Sequence, residues 1–345
     1  MKNILIIKTG SIGDVLRTTC VIEGLIEKFF NPRIYWLTSI KSLPVIETNP
    51  FLSKIFLIEH LDKEIYKLEF DMVISLEEDI KCLEVLSGLK KRIIFGIYSK
   101  NGIVDYTAKS SYWYNMSLIS KFGKEVWAGV GKDSLKKSNI FSYPEILYKM
   151  LDLKWNKQRP RLYLKDDIKK YSLYKADKLD LKKTIIGIVI GAGERWPLKV
   201  LPADLQIKLI KKMNKEFGGK VEFILITGPS KLEMGNAKEI LKKCPFVKSH
   251  KIVNLDELFG IISFCDIIVT PDTLSMHIAI SLNKYIVAYF TVTSASEIEI
   301  YLGEKIITND KNYYCSYFTE NLPRPNCTDK INLDEIVDAV KKAIK

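Results

Sequence analysis

The sequence predicts an α/β protein of two domains, each a parallel sheet flanked by helices. Short apolar, largely β-branched runs alternate with amphipathic segments, which is typical of βαβ units. The 345 residues are too many for one core and enough for two domains. A charged stretch over residues 154–183 interrupts the alternation near mid-chain, and we take it as the connection between the domains.

The chain opens with a predicted β-α unit. Residues 4–7 are four consecutive apolar residues, as in a strand buried on both faces. A short loop with Gly10 and Gly13 follows, and then apolar residues continue at helical spacing to residue 29. This order places Asp14 at the carboxyl edge of the sheet, where open α/β folds bind ligands. From this pattern alone, Asp14 could equally be a cap of the helix.

Further strands and helices complete the first domain. Strands are predicted at residues 33–37, 55–58, 70–76 and 92–96, and helices between Pro44 and Pro50 and at residues 80–89 and 143–153. Residues 98–140 break the alternation and are rich in lysine, glycine and aromatic residues. Long loops are usually functional or disordered, and the aromatic content argues against disorder. The segment is therefore either a substrate-facing excursion or a pair of helices packed on the sheet.

The second domain resumes the alternation. Strands are predicted at residues 184–190, 221–226, 266–270 and 285–290, and helices at residues 203–217 and 333–344. Ser230-x-x-Glu233 and Asn254-x-x-Glu257 are capping-box patterns that open two more helices. Two such domains leave a cleft between the carboxyl edges of their sheets, where we expect the active site.

Composition excludes several classes of protein. The contents of 47% hydrophobic and 27% charged residues are typical of a soluble globular protein. No apolar run approaches the roughly 20 residues of a membrane helix, and the run before Lys8 is too short for a signal-peptide core. Six scattered cysteines without a C-x-x-C pair indicate reduced thiols, not a zinc site. We therefore expect a cytoplasmic protein.

The formal charge of +12 has two interpretations. It reflects solvated helix faces, or it indicates an anionic partner. The sequence has no nucleic-acid-binding motif and its lysines form no compact tail. An anionic small molecule or lipid is therefore the expected partner, and nucleic acid is not.

Nicotinamide and P-loop chemistry are disfavoured by the glycine spacing. Gly10-x-x-Gly13 is not G-x-G-x-x-G, and the strand at residues 33–37 is followed by Thr38-Ser39, without an acidic residue for a ribose. Gly191-x-Gly193 also lacks a third glycine. No Walker motif is present.

A group transferase that uses a nucleotide-activated donor fits better. Such an enzyme needs a carboxylate base, which Asp14 supplies, and groups that hold phosphate. The loop at residues 191–199 contains the cations Arg195 and Lys199. Residues 270–277 run from a strand into a helix, whose first N–H groups favour a diphosphate. Lys199 and such donors could stabilise a leaving diphosphate in place of a metal ion.

Three motifs together resemble glycosyltransferase family 9, the lipopolysaccharide heptosyltransferases. In chain order they are Lys8-x-Gly10-x-x-Gly13-Asp14-Val15-Leu16-x-Thr18, Trp196-Pro197-x-Lys199 and Asp272-Thr273-x-x-Met276-His277. Each motif alone is weak, but together, in the family's order and across almost the whole chain, they are specific.

The resemblance implies a GT-B fold with two Rossmann-like domains, here residues 1–165 and 166–328, facing across a cleft. A C-terminal helix within residues 329–345 would return to pack on the first domain. The resemblance also implies inverting transfer without a metal ion or cofactor, usually from ADP-heptose. The acceptor would be an anionic inner-core glycolipid or oligosaccharide, met at the inner face of the cytoplasmic membrane.

The same resemblance implies roles for individual residues. Asp14 is expected to be the general base that deprotonates the acceptor hydroxyl, and Lys199 is expected to contact the phosphates. The positions expected near the donor are Ser11, Gly13, Gly191, Ala192, Gly193, Arg195, Asp272, Thr273, Leu274 and His277.

The sequence departs from the family pattern on the donor side. Leu274 stands where the family has glycine, and Thr291-Val292-Thr293 replaces Gly-Pro-Thr. Val200 and Leu201 replace the arginine and tryptophan that usually follow Lys199. A UDP- or GDP-linked donor, or a non-catalytic nucleotide-sugar-binding protein, therefore remains an alternative.

Several residues also have a structural interpretation. Asp272 could be a helix N-cap, His277 a core histidine and Arg195 half of a surface ion pair. Glu233 is either the acid that binds the nucleotide or a capping residue. Cys315 and Cys327 are assigned no role.

Overall fold

The computed structural model describes residues 1–100, 102–116, 138–168, 183–193, 197–309 and 328–344. The chain divides into two compact units, Met1–Tyr163 and Leu164–Lys345. Each unit contains a six-stranded sheet among the described residues. The α/β class with two Rossmann-like domains is therefore confirmed.

The first sheet has the strand order β3-β2-β1-β4-β5-β6. It is parallel except for β6, which is antiparallel to β5. The strands are β1 (Asn3–Ile7), β2 (Arg33–Thr38), β3 (Leu52–Leu57), β4 (Glu69–Ser75), β5 (Lys90–Lys100) and β6 (Ile103–Tyr106). The order reverses between β1 and β4, which creates a topological switch point at their carboxyl ends.

The described residues of the first unit form five α-helices. They are α1 (Ile12–Thr18), α2 (Val21–Phe29), α3 (Ile80–Gly88), α4 (Ser111–Asn115) and α5 (Tyr143–Met150). Between Pro44 and Pro50 the expected helix is only a 3₁₀ turn at Leu43–Val45.

The single helix expected after the first loop is two helices. The Thr18 and Thr19 hydroxyls donate to the carbonyls of Asp14 and Leu16, a side-chain contact that competes with regular helix geometry. The Tyr148 hydroxyl then donates to the Cys20 carbonyl and accepts the Gly24 N–H. These contacts hold the chain at the break between α1 and α2.

The first part of the segment at residues 98–140 belongs to the sheet. Strand β5 runs through Lys100, and the chain returns as β6 before it enters α4. Neither expectation for this segment, an excursion or a helix pair, describes that hairpin. Residues 117–137, with Phe122 and Trp127, lie outside the described residues.

The second sheet is entirely parallel, in the order β12-β11-β10-β7-β8-β9. Its strands are β7 (Thr184–Val189), β8 (Val221–Thr227), β9 (Lys248–Lys251), β10 (Ile267–Pro271), β11 (Tyr285–Phe290) and β12 (Gly303–Ile307). The helices that the structure describes here are α6 (Ala203–Phe217), α7 (Lys231–Lys243), α8 (Leu255–Phe264), α9 (Leu274–Ser281) and α10 (Leu333–Ala343). Its switch point lies between β7 and β10.

The C-terminal helix α10 packs within the second unit. Its apolar face, with Ile336 and Val340 fully buried, lies in the core that Val287 and Ile306 also form, and it contacts β11, β12 and α6. Its apolar face therefore covers the second sheet, and the expectation that this helix returns to the first domain stays a prediction. In the described residues, no helix has the length and apolar character needed to cross a bilayer.

Candidate functional site

Asp14 lies in the first turn of α1, at the switch point of the first sheet. The N-cap of α1 is Ser11, so Asp14 is not the cap. One oxygen of its carboxylate is 2.9 Å from Arg17 Nε, and the other accepts a hydrogen bond from the Ser11 hydroxyl at 3.3 Å. The side chain is 35% exposed. The carboxylate is thus held in place and still accessible from solvent.

Arg17 is supported by an aromatic pair. Its guanidinium carbon lies 3.8 Å from the centroid of the Tyr143 ring and 5.9 Å from that of Trp113. The Tyr143 hydroxyl is 2.8 Å from Thr18 Oγ1, and burial raises the pKa of Tyr143. Stacking on aromatic rings limits the movement of a guanidinium. Arg17 can therefore hold the Asp14 carboxylate in one orientation.

The loop before Asp14 is held by Glu77, a residue that sequence reasoning missed. Glu77 lies just after β4, and its Oε1 accepts hydrogen bonds from Lys8 Nζ and from the backbone N–H groups of Thr9 and Gly10. The available signal was topological, because residues after β1 and β4 meet at the switch point. Of the other positions expected here, Ser11 is exposed and Gly13 is buried inside α1.

The second unit has a cavity of about 590 Å³ at the carboxyl edge of its sheet. It brings together five of the positions expected to bind the donor, which are Gly191, Ala192, Gly193, Thr273 and Leu274. Apolar residues that include Ile226, Ile252 and Leu258 line another part of its wall. A cavity of this size with few polar groups suits a small organic ligand.

Glu233 lies between two glycines in this cavity. A Cβ at Gly191 would be 2.0 Å from Glu233 Cδ, and one at Gly228 would be 2.1 Å from Oε2. Glu233 Oε1 accepts the Gly193 N–H at 3.1 Å, while the Glu233 backbone N–H donates to Ser230 Oγ at 3.2 Å. The capping contact is therefore real, but it involves the backbone and leaves the carboxylate in the cavity.

Lys199, Asp272 and His277 form a cluster beside the first turn of α9. Lys199 Nζ donates to Asp272 Oδ2 at 3.0 Å and to the Asp272 carbonyl at 3.1 Å. His277 Nε2 is 3.9 Å from Asp272 Oδ1. The N-cap of α9 is Thr273, so the interpretation of Asp272 as that cap is wrong.

Asp272 is an anion fixed by its neighbours. Burial opposes its ionisation, but the charges of Lys199 and His277 and hydrogen bonds from Lys199 and Thr293 outweigh burial and lower the pKa to about 2. The carboxylate therefore keeps the Lys199 ammonium at one place beside the helix start, where N–H groups favour an anion.

Some expected site residues cannot be placed. Arg195, with its neighbours Glu194 and Trp196, lies outside the described residues, as do Cys315 and Cys327. Within the described ranges, no group of three or more His, Cys, Asp or Glu side chains is arranged to hold a metal ion.

Comparison with known proteins gives a consistent result. Residues 130–323 match the model of glycosyltransferase family 9 (heptosyltransferase). The chain is 24% identical to lipopolysaccharide heptosyltransferase 1 of Campylobacter coli, over 98% of each protein.

Solved structures share the fold. A family 9 glycosyl transferase from Veillonella parvula superposes with a TM-score of 0.76 at 17% identity, over 99% of this chain and 97% of that one. ADP-heptose lipopolysaccharide heptosyltransferase II of E. coli superposes with a TM-score of 0.64 at 16% identity, over 100% of this chain and 98% of that one. E. coli heptosyltransferase WaaC with ADP superposes with a TM-score of 0.62 at 11% identity, over 99% of each chain. These likenesses confirm the predicted fold class.

Proposed function

The chain belongs to glycosyltransferase family 9, and from that premise we propose that it transfers heptose from ADP-heptose to an inner-core lipopolysaccharide acceptor or a related glycan. The observation that carries this proposal is the cavity of the second unit, with the Lys199–Asp272 pair beside its lining residues Thr273 and Leu274. ADP-heptose is favoured because relatives named for heptosyl transfer include one solved with ADP.

The nucleoside would occupy the cavity itself. Its base would contact the apolar wall at Ile226, Ile252 and Leu258, and the Glu233 carboxylate would accept hydrogen bonds from ribose hydroxyls. The diphosphate would lie at the start of α9, against the N–H groups after Thr273 and the Lys199 ammonium. Asp272 and His277 would complete the binding of the diphosphate and the donor sugar.

Transfer would proceed in one displacement with inversion. Asp14 takes the proton of the acceptor hydroxyl as that oxygen bonds to the anomeric carbon. The bond from the anomeric carbon to the diphosphate oxygen breaks, and the electron pair leaves with ADP. Lys199 and the N–H groups of α9 stabilise the added negative charge, so that the reaction needs no metal ion.

The acceptor would be anionic and attached to a membrane. The net charge of +12 favours attraction to an anionic glycolipid. We place the reaction at the cytoplasmic face of the inner membrane, where a positively charged protein binds peripherally to acidic headgroups.

A nucleotide panel tests the donor assignment. We expect ADP and ADP-heptose to raise the thermal unfolding midpoint, because a ligand that binds only the folded state stabilises it, and UDP and GDP to have less effect. Transfer from ADP-heptose to an inner-core acceptor should persist in EDTA.

Two outcomes would contradict the proposal. A larger shift with UDP or GDP would favour a different nucleotide donor, for which Leu274 in the place of the family's glycine gives a structural reason. Activity that EDTA abolishes and Mg²⁺ restores would exclude the metal-free mechanism.

A further inference from the structure

We propose that Glu77 is a positioning residue for Asp14, acting through the loop that joins β1 to α1. The inference rests on the proposed role of Asp14 as the base and extends it to a residue outside the three family motifs. Glu77 lies two residues beyond β4, and the loop it contacts begins directly after β1. Its carboxylate therefore spans the switch point of the first sheet.

A single carboxylate oxygen makes all three contacts. Glu77 Oε1 accepts hydrogen bonds from Lys8 Nζ at 2.7 Å, the Thr9 N–H at 2.8 Å and the Gly10 N–H at 2.9 Å. Charge-assisted hydrogen bonds of this length are stronger than neutral ones. Three of them converging on one atom restrict both the direction and the position of the loop.

The opposite side of the same loop is also bound. The Thr9 carbonyl accepts hydrogen bonds from Ser39 Oγ at 2.7 Å and from Ser42 Oγ at 2.9 Å. The indole N–H of Trp36 donates to the Lys8 carbonyl at 3.1 Å. Thr9 is therefore fixed through both its N–H and its carbonyl oxygen.

This fixed loop leads directly to Asp14. Gly10 connects it to Ser11, which is the N-cap of α1 and donates a hydrogen bond to the Asp14 carboxylate. A change in the direction of the loop would move Ser11 and the start of α1 together. Displacement of a catalytic group by about 1 Å can reduce a rate by about 100-fold.

The amino end of the same strand pair supplies a matched control. There, the Asp71 carboxylate accepts hydrogen bonds from the Asn3 N–H at 3.0 Å and from Lys2 Nζ at 3.1 Å. It joins β4 to β1 by the same chemistry as Glu77, an ammonium and backbone N–H, but at the end of the sheet away from Asp14. General stabilisation of the β1–β4 pair and positioning of Asp14 can therefore be separated.

The experiment compares Glu77→Gln with Asp71→Asn in steady-state transfer from ADP-heptose. We expect Glu77→Gln to lower kcat by about tenfold, with the KM for ADP-heptose and the thermal shift by ADP unchanged. We expect Asp71→Asn to keep kcat within about twofold, since a contact far from the site has no path to the reacting atoms. The double variant Ser39→Ala with Ser42→Ala removes two hydrogen bonds to the same loop, and we expect a similar loss of kcat. If Glu77→Gln does not fold, this variant tests whether the loop positions Asp14.

Three results would overturn the inference. These are a folded Glu77→Gln protein with normal kcat, equal losses in Glu77→Gln and Asp71→Asn, or a loss confined to the donor KM. Asp14→Asn, assayed in parallel, separates the two proposals. If Asp14→Asn is inactive and Glu77→Gln is normal, only the positioning role fails, whereas an active Asp14→Asn removes the base assignment itself.

Discussion

The two units place an acid–lysine pair at the same point of the same strand order. In the first unit, Glu77 after β4 pairs with Lys8 after β1 at 2.7 Å. In the second, Asp272 after β10 pairs with Lys199, which follows β7, at 3.0 Å. Both pairs bridge the position where the sheet reverses its order, which is where the segments that follow these two strands lie side by side.

The partners of each acid differ. Glu77 also binds the backbone of its loop at Thr9 and Gly10, so that it fixes the chain that leads to Asp14. Asp272 binds the side chains of Lys199 and Thr293, and the loop after β7 lines a cavity. In the proposed mechanism, the acid–lysine pair thus orients the base in the first unit and holds a cation beside the donor site in the second.

The largest expected effect is the loss of the base. Asp14→Asn should lower kcat for transfer by about 1,000-fold, because the amide cannot accept the hydroxyl proton. Binding of ADP to the second unit should be unchanged, as measured by calorimetry. Arg17→Met is the matched control, because it breaks the same ion pair and keeps the carboxylate; we expect a much smaller loss. Similar losses of kcat in both variants would mean that the reaction requires the Asp14–Arg17 ion pair and not Asp14 as a base.

A smaller loss of kcat is expected for Lys199, which we propose to stabilise the leaving diphosphate. Lys199→Ala should lower kcat by about 100-fold and raise the KM for ADP-heptose, because a preorganised charge at the diphosphate is removed. Lys341→Ala provides the control, since this exposed lysine pairs with Glu216 in the same unit. If Lys199→Ala kept a normal kcat, the leaving group would not depend on this cation.

The smallest expected effect is on the binding of ADP in the cavity of the second unit. Gly191→Ala would place a Cβ 2.0 Å from Glu233 Cδ and push the carboxylate toward the space for the nucleoside. Overpacking of this kind costs about 1–3 kcal/mol, and a loss of about 1.4 kcal/mol within that range would raise the Kd for ADP, measured by calorimetry, about tenfold. Gly235→Ala is the control, because a Cβ there meets no atom within 4 Å. Unchanged ADP affinity in Gly191→Ala would place the nucleoside elsewhere.

Sequence reasoning succeeded where a residue's role depends on its immediate neighbours along the chain. The buried strand at Ile4–Ile7 and the capping serine of α7, Ser230, follow from local pattern. Strands β9 and β12 were missed because they lie at opposite edges of the sheet and have polar or half-buried residues instead of an apolar run.

The contacts that define the site depend on topology and were harder to predict. Glu77 is 67 residues from Gly10, and nothing near it in the sequence marks it as a partner of that loop. Glu233 matches the capping-box pattern, and that local pattern does not predict that its carboxylate contacts the Gly193 N–H in the cavity. The packing of α10 on the second sheet was not predicted, because an apolar stripe alone does not specify which of two sheets a helix covers.

The low exposure of the two acid–lysine pairs determines how the protein responds to ionic strength. The four side chains are between 11% and 16% exposed, and pairs so shielded are screened little by salt. Attraction of the proposed anionic acceptor by the surplus lysines would act through water, where at 0.15 M salt it fades over about 8 Å. Added salt should therefore slow the encounter with the acceptor and leave the internal geometry of each unit intact.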